Sequence, residues 1–253
     1  MSPGAPATAA LTRLRLSAFR CYAEAELCTG PRPVVLTGPN GAGKTNLLEA
    51  ISFLAPGRGL RQARLGAVDR RAGPEAVAAR PWAVAARLSL PRPGGGTETV
   101  ELGTGRDAAE PARERRVVKI NGAFAAGQAA LAEWLSVLWL TPQMDRLFLD
   151  GAAARRRFLD RLCYGLDAGH AGRVAAYEHA LRERARLLRE RADAGGPPPD
   201  PLWLGALEEQ MASLGVAIAA TRRDLVARLN AIMESTAGAF PRAVLATEGS
   251  PEG

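Results

Sequence analysis

LTGPNGAGKTN, residues Leu36–Asn46, sets two glycines five positions apart and follows the second with lysine and threonine. Gly38, Pro39, Asn40, Gly41, Ala42, Gly43, Lys44 and Thr45 satisfy G-x-x-x-x-G-K-[ST] at every position. Glycines at these points let the backbone curl so that successive N–H groups face inward as an anion nest. A helix starting near Gly43 aims its free N–H groups and positive dipole end at the same place. Lys44 then reaches the β- and γ-phosphates of a nucleotide, and the Thr45 hydroxyl ligates Mg²⁺.

The neighbouring sequence supplies the frame that such a loop requires. Pro33–Leu36 reads as a short buried strand running into it. Gly43–Leu54 reads as a helix with Leu47, Leu48, Ile51 and Leu54 on one side. Upstream, Leu11–Phe19 and Tyr22–Leu27 alternate apolar and polar residues at the strand period. Downstream, the arginine-rich Gly57–Arg71 reads as irregular and exposed. Trp82–Leu90, Glu98–Gly103 and Arg116–Ile120 then read as strands separated by turn compositions, an antiparallel meander inserted beside the nucleotide core. Leu135–Leu140 (LSVLWL) is a further buried-strand candidate.

From Asp150 the period becomes helical. Ala152–Leu166, Gly172–Asp193 and Leu202–Ala239 are predicted helices, and Gly195–Pro201 (GGPPPDP) breaks the last two into an αα-hairpin. The expected division is a disordered start over 1–10, a core over 11–149, a helical lobe over 150–245 and a disordered tail over 246–253.

Composition bounds the class of partner. The 253 residues carry a formal charge of +7, which favours polyanions, nucleic acid above all. Lys44 and Lys119 are the only lysines among 33 basic residues, an arginine bias that reads as GC-rich coding. Cys21, Cys28 and Cys163 lack ligand spacing and suit a reducing compartment, and His170 and His179 read as surface residues. The N-terminus shows no signal peptide and no apolar run is long enough to span a bilayer, so a cytoplasmic location is expected and no membrane partner.

Phosphoryl transfer needs an acid that holds the Mg²⁺ shell, and no apolar strand here ends in one. Asp145 lies five residues beyond LSVLWL, and Asp150 follows RLFLD in a helical context. The cradle is legible and a catalytic half is not, so no catalytic residue is assigned.

Three blocks together resemble the RecF family of SMC- and ABC-related ATPases: AFRCY (Ala18–Tyr22), LTGPNGAGKTNLLEAISFLAPGRGLR (Leu36–Arg61) and LTPQMDRLFLDGAAARRRFLDRL (Leu140–Leu162). The resemblance implies an α/β fold: a P-loop NTPase head of ABC/SMC type with an inserted antiparallel meander, a helical hairpin lobe and an incomplete sheet. It implies ATP and Mg²⁺ as cofactors, DNA at single-strand gaps and junctions as substrate, RecR and RecO as partners, an ATP-dependent homodimer, and a role in recombinational repair and SOS induction. By position it makes Asn46 part of the extended phosphate loop and Arg20 a phosphate- or adenine-side contact. Cys21 stands where the family usually has asparagine. Gln143 falls at the Q-loop, where relatives more often carry an acid, as a Mg²⁺ or water ligand. Arg58 and Arg61 fall in a basic segment facing DNA phosphates. RecF-like chains continue past this point with a signature motif and a Walker B strand, so this chain is expected to be a truncated form that binds ATP without hydrolysing it. Two further readings compete. One is a non-hydrolysing nucleotide- or DNA-binding module that recruits repair partners. The other is a small-molecule kinase, disfavoured by the AFRCY strand ahead of the loop.

Overall fold

Strand alternation in the first half of the chain becomes a single six-stranded sheet. The computed structural model describes residues 9–70, 80–92, 94–107, 115–149, 151–194, 200–236, 238 and 241–247, with side chains 190–194 excepted. Of the disorder expected over 1–10 and 246–253, residues 1–8 and 248–253 lie outside these residues, as do 108–114, 195–199 and Asp150, while Ala10 already belongs to a strand. The chain divides into two compact units, Met1–Trp139 and Leu140–Gly253. No helix among the described residues is long and apolar enough to cross a membrane.

In the first unit, β1 (Ala10–Phe19), β2 (Tyr22–Cys28), β3 (Ala83–Pro91), β4 (Thr97–Arg106), β5 (Arg116–Ile120) and β6 (Ala123–Phe124) assemble in the order β2-β1-β3-β4-β5-β6. Every pairing is antiparallel. The meander is therefore continuous with the first hairpin rather than set beside a separate core, because β3 takes the free edge of β1 in register Leu16↔Val84 and Arg15↔Ala85. Period-two alternation sends Leu14, Leu16, Val84, Leu88, Val100, Leu102 and Val118 to one buried face, each at most 3% exposed. β6 follows from Asn121-Gly122, whose φ values of 49° and 84° make the two-residue turn that the Asn-Gly pair favours.

The helix α1 (Lys44–Ser52) covers that face. Phe53, which ends it, meets Trp82 at 4.8 Å and Phe19 at 6.0 Å between ring centroids, all three fully buried. Such aromatic clusters add to burial through edge-to-face contact. Trp82 also donates its indole N–H to the Leu65 carbonyl at 2.9 Å.

Four predicted features differ. Pro33–Leu36 is neither strand nor buried, with Val34 and Val35 54% and 82% exposed, because no described segment offers it a ladder partner. Leu135–Leu140 likewise forms no strand, with Leu138 and Leu140 58% and 86% exposed. In α1 the buried side is Glu49, Ala50 and Ser52, continued by Phe53 and Leu54, while Leu48 faces out. Positions 46, 49, 50 and 53 form the i, i+3, i+4, i+7 stripe that meets the sheet, and Leu48 lies off it. Of Gly57–Arg71, the described residues 57–70 are only partly exposed: Val68 is fully buried and Asp69 bridges Phe19.

Unit two is helical, with α2 (Ala152–Cys163), α3 (Gly169–Ala194) and α4 (Pro201–Ser235), the last capped by the Asp200 carboxylate. His170, expected at the surface, is fully buried. Its Nε2 lies 2.8 Å from Asp160, which also accepts two hydrogen bonds at 2.8 Å from Arg222. One acid on α2 thus ties together the starts of α3 and the middle of α4. An ionised carboxylate only accepts, so Nε2 carries the His170 proton. Burial pulls the Asp160 pKa up, but the hydrogen bonds from His170 and Arg222 outweigh it and hold the group below its ordinary value. Nearby, burial pushes the Cys163 thiol up to about 12.

Because the folded-state pKa of Asp160 is depressed, its stabilisation is present above the unfolded carboxylate value and is lost as pH falls through the folded one. Asp160→Asn is expected to destabilise the protein by about 3 kcal/mol near neutral pH, since it leaves Arg222 without its partner. Chemical unfolding followed by circular dichroism should show that difference shrinking as pH drops below about 4. A constant gap down to acid pH would exclude the ionised pair.

Candidate nucleotide-phosphate site

The loop from Gly38 to Ala42 is exposed, and Gly43 closes it against the protein. Gly43 caps α1 with φ 93°, a left-handed conformation that a side chain resists. A Cβ there would also stand 2.8 Å from Tyr22 Cζ and 3.1 Å from Cys21 Sγ. Backbone and packing therefore both demand glycine. No side chain caps α1 and no acid occupies its first turn, so the N-terminal amides face forward without a competing carboxylate. Lys44 bends back over the loop and donates its Nζ to the carbonyls of Gly38 and Pro39 at 2.7 and 2.8 Å. Thr45 is exposed beside it. Loop, lysine and uncapped helix concentrate positive potential at one open point, the arrangement that suits a phosphate.

Behind the loop lies a ring of ionic contacts centred on Glu49, whose side chain has no exposure. Arg20 donates to both its oxygens, Nε at 2.9 Å and Nη2 at 2.6 Å, and uses Nη1 on the Ala67 carbonyl. Arg61 Nη1 donates to Glu49 at 2.6 Å and to the Asn46 side-chain oxygen at 2.9 Å. The Asn46 amide in turn donates to Cys21 Sγ at 3.0 Å. Arg20 sits in the two-residue turn joining β1 to β2, with φ 54°. Its backbone N–H on Val68 and the Arg70 N–H on Ala18 stabilise that left-handed geometry. Burial raises the Tyr22 pKa, with the neighbouring Cys21 adding to it.

This geometry changes what several predicted site residues do. Arg20, read as a phosphate-side contact, has its fork committed to Glu49 and Ala67 because a buried carboxylate needs a bidentate cation. Arg61, read as a DNA contact, has its Nη1 paired with Glu49 while its side chain stays 40% exposed, and Arg58 is exposed as well. Asn46 joins the ring as well as the first turn of α1. Gln143 is exposed on a short 3₁₀ turn, Pro142–Arg146, in the second unit.

Sequence reasoning overlooked Glu49 and Arg116. Glu49 was discoverable, as the one charged residue in the 46-49-50-53 stripe. Arg116 left no such signal. Burial pulls its pKa down to about 9, and it donates to Thr104, Gln128 and the carbonyls of Phe53, Ala55 and Gly57 at the end of α1. Its guanidinium also lies 5.4 Å from the Phe53 ring centre. A cation thus meets the negative end of the helix. The depression of about 240 Å³ on the open sheet face is lined by residues of the sheet and its turns, among them Arg15, Ala85, Gly103 and Lys119, and by none of the loop.

Glu49→Gln is expected to destabilise the protein by about 3 kcal/mol, because two cations then share a site without an anion. Arg61→Ala should cost less than about 1 kcal/mol, its side chain being 40% exposed and Arg20 still pairing Glu49. Urea unfolding of both variants checks the order; equal losses would contradict a ring centred on Glu49.

Comparison with known proteins agrees with this architecture. A profile described as an AAA domain matches residues 13–67. The chain is 45% identical over 245 residues to the DNA replication and repair protein RecF of Rhizobium rhizogenes, covering 96% of this chain and 61% of that one. The RecF of a Caulobacter species is 46% identical over 246 residues, with 96% and 62% covered. Two solved structures share the fold. The recombination mediator protein RecF with ATP in the RecFOR pathway superposes with a TM-score of 0.72 at 22% identity, over 91% of this chain and 57% of that one. The corresponding ATPrS structure gives 0.71 at 20%, over 89% and 56%. The fold is the P-loop NTPase head of ABC/SMC type. Along nearly its whole length the chain is similar to RecF proteins, and it spans about three fifths of the length of the curated relatives it matches.

Proposed function

We propose that Gly38–Thr45 binds the phosphates of ATP and that the chain acts in DNA repair as part of a RecF-type protein. The observation that carries the first half is the convergence of Lys44 with an uncapped helix N-terminus over an open glycine loop. In this reading the loop amides and Lys44 hold the β- and γ-phosphates. Lys44 exchanges its two carbonyl partners for phosphate oxygens, which as anions are stronger acceptors. The exposed Thr45 hydroxyl fits a Mg²⁺ ion carried in with the nucleotide; Gln143, in the second unit, is proposed as a ligand from its sequence position alone. Magnesium would neutralise phosphate charge there.

Glu49 is not free to serve that ion, since both its oxygens are taken by Arg20 and Arg61. Holding nucleotide, rather than hydrolysing it, is thus the role we assign to these residues. The wider reading rests on the relatives. Those at 45% identity are described as DNA replication and repair proteins, and the matching structures as RecF in the RecFOR pathway. DNA at gaps, RecO and RecR as partners, ATP-dependent pairing of two copies, SOS induction and a cytoplasmic location accompany it as proposals. A basic chain of charge +7 is compatible with the DNA part.

Lys44→Ala tests the cradle. A hydrogen bond to a charged group contributes about 1.5–3 kcal/mol, so ATP affinity measured by calorimetry should fall roughly tenfold or more. Unchanged affinity would overturn the assignment.

A further inference from the structure

On α3 and α4 most of the described arginines are paired with acids, Arg189 and Arg223 being exceptions among the described residues. Arg182 pairs with Glu178, Arg186 with Glu183, Arg184 with Glu208 and Arg228 with Asp224. Most of these follow helical spacing, three or four residues apart, the usual way a helix neutralises its own surface. On α2, Arg155, Arg156 and Arg157 are consecutive and exposed. Three and four residues on either side of them lie glycine, alanine, phenylalanine, leucine and Arg161, with one acid, Asp160. That acid is buried and already satisfied by His170 and Arg222. Neither Arg156 nor Arg157 has an ion-pair partner among the described residues.

At about 100° per residue, the three side chains fan around some 200° of the helix. Adjacent like charges there repel one another, and they stand in the half of α2 where the helix dipole is also positive. A solvated decorative surface does not require this clustering, and Arg182, Arg184, Arg186 and Arg228 show the usual alternative. What it does offer is several guanidinium forks, each able to take two oxygens of a phosphate, on one rigid element.

We propose that the exposed arginines of α2, Arg156 and Arg157 with Arg155 beside them, form a contact surface for the phosphate backbone of DNA. This inference rests on the DNA-binding reading above and relocates its contact. Arg61 is drawn into the Glu49 ring, whereas the α2 arginines are presented to solvent. Recognition of this kind is through charge and carries no base sequence.

The test uses the full chain and a fluorescein-labelled DNA duplex with a single-strand gap, titrated by anisotropy at salt concentrations from about 50 to about 200 mM. Each arginine that touches a phosphate should contribute about one unit to the slope of log affinity against log salt. Arg156→Ala/Arg157→Ala should therefore flatten the slope by about 2. Arg156→Lys/Arg157→Lys should restore most of it, since charge is what the slope reports. Arg182→Ala/Arg186→Ala, which removes the same charge from paired positions on α3, should change it far less. All four substituted positions bear exposed or half-exposed side chains, and thermal melts confirm that the variants stay folded. Wild-type binding with an unchanged slope in the α2 variant would overturn the surface while leaving DNA binding in place. Equal losses in the α2 and α3 variants would reduce the effect to net charge and overturn it too. Absence of salt-dependent binding by the wild-type chain would remove the DNA reading itself, and this inference with it.

Discussion

Glu49 carries a full negative charge into a helix face that otherwise buries Ala50, Phe53 and Leu54, and the arginines that neutralise it come from different parts of the chain. A carboxylate removed from water is tolerated only where its oxygens are bonded at good geometry. That condition fixes the β1–β2 turn through Arg20 and the segment after α1 through Arg61. Both are thereby held at set distances from the turn of helix that begins with Lys44. The phosphate loop itself is exposed and makes few side-chain contacts. Its position is inherited from this ring, from Tyr22 and Cys21 behind Gly43, and from the helix that leaves it.

The opposite end of α1 is fixed by different physics. Phe53 is locked between Phe19 and Trp82, and Arg116 gathers the carbonyls that the helix leaves open. The guanidinium has polar neighbours but no carboxylate among them, which is why burial lowers its pKa so far. It acts as a structural cation for a helix terminus. With an anion locked in its second turn and a cation at its C-terminal end, α1 is a short rod whose N-terminus points where the fold requires.

Much of this was readable in advance, and the failures share a cause. The glycine loop, the strands at 11–19, 22–27 and 116–120 and the αα-hairpin follow from local periodicity and turn chemistry, which a single sequence displays. Pro33–Leu36 and Leu135–Leu140 have the composition of strands, yet a strand exists only through a partner, and composition cannot show whether one is at hand. Arg20 and Arg61 are read as ligand contacts from the family resemblance, which gives a position in a motif and not the side chains that the fold brings to it. Their actual partner, Glu49, sits on the apolar stripe of α1, where a charged residue is the anomaly worth following. His170 failed in the mirror sense: a polar side chain on a polar helix, buried because Asp160 and Arg222 come from two other helices. Such contacts depend on tertiary placement, and no spacing rule announces them.

The scarcity of lysine has a chemical corollary. Across 253 residues only Lys44 and Lys119 carry an ε-amine. One is tethered to the carbonyls of Gly38 and Pro39, and the other stands 4.4 Å over the Phe124 ring at the rim of the sheet. Amine-selective reagents, indifferent to arginine, therefore meet two side-chain targets in distinct surroundings. The loop becomes an addressable point on the protein, where a single acyl group or fluorophore can be introduced or protected without altering any other basic side chain but one.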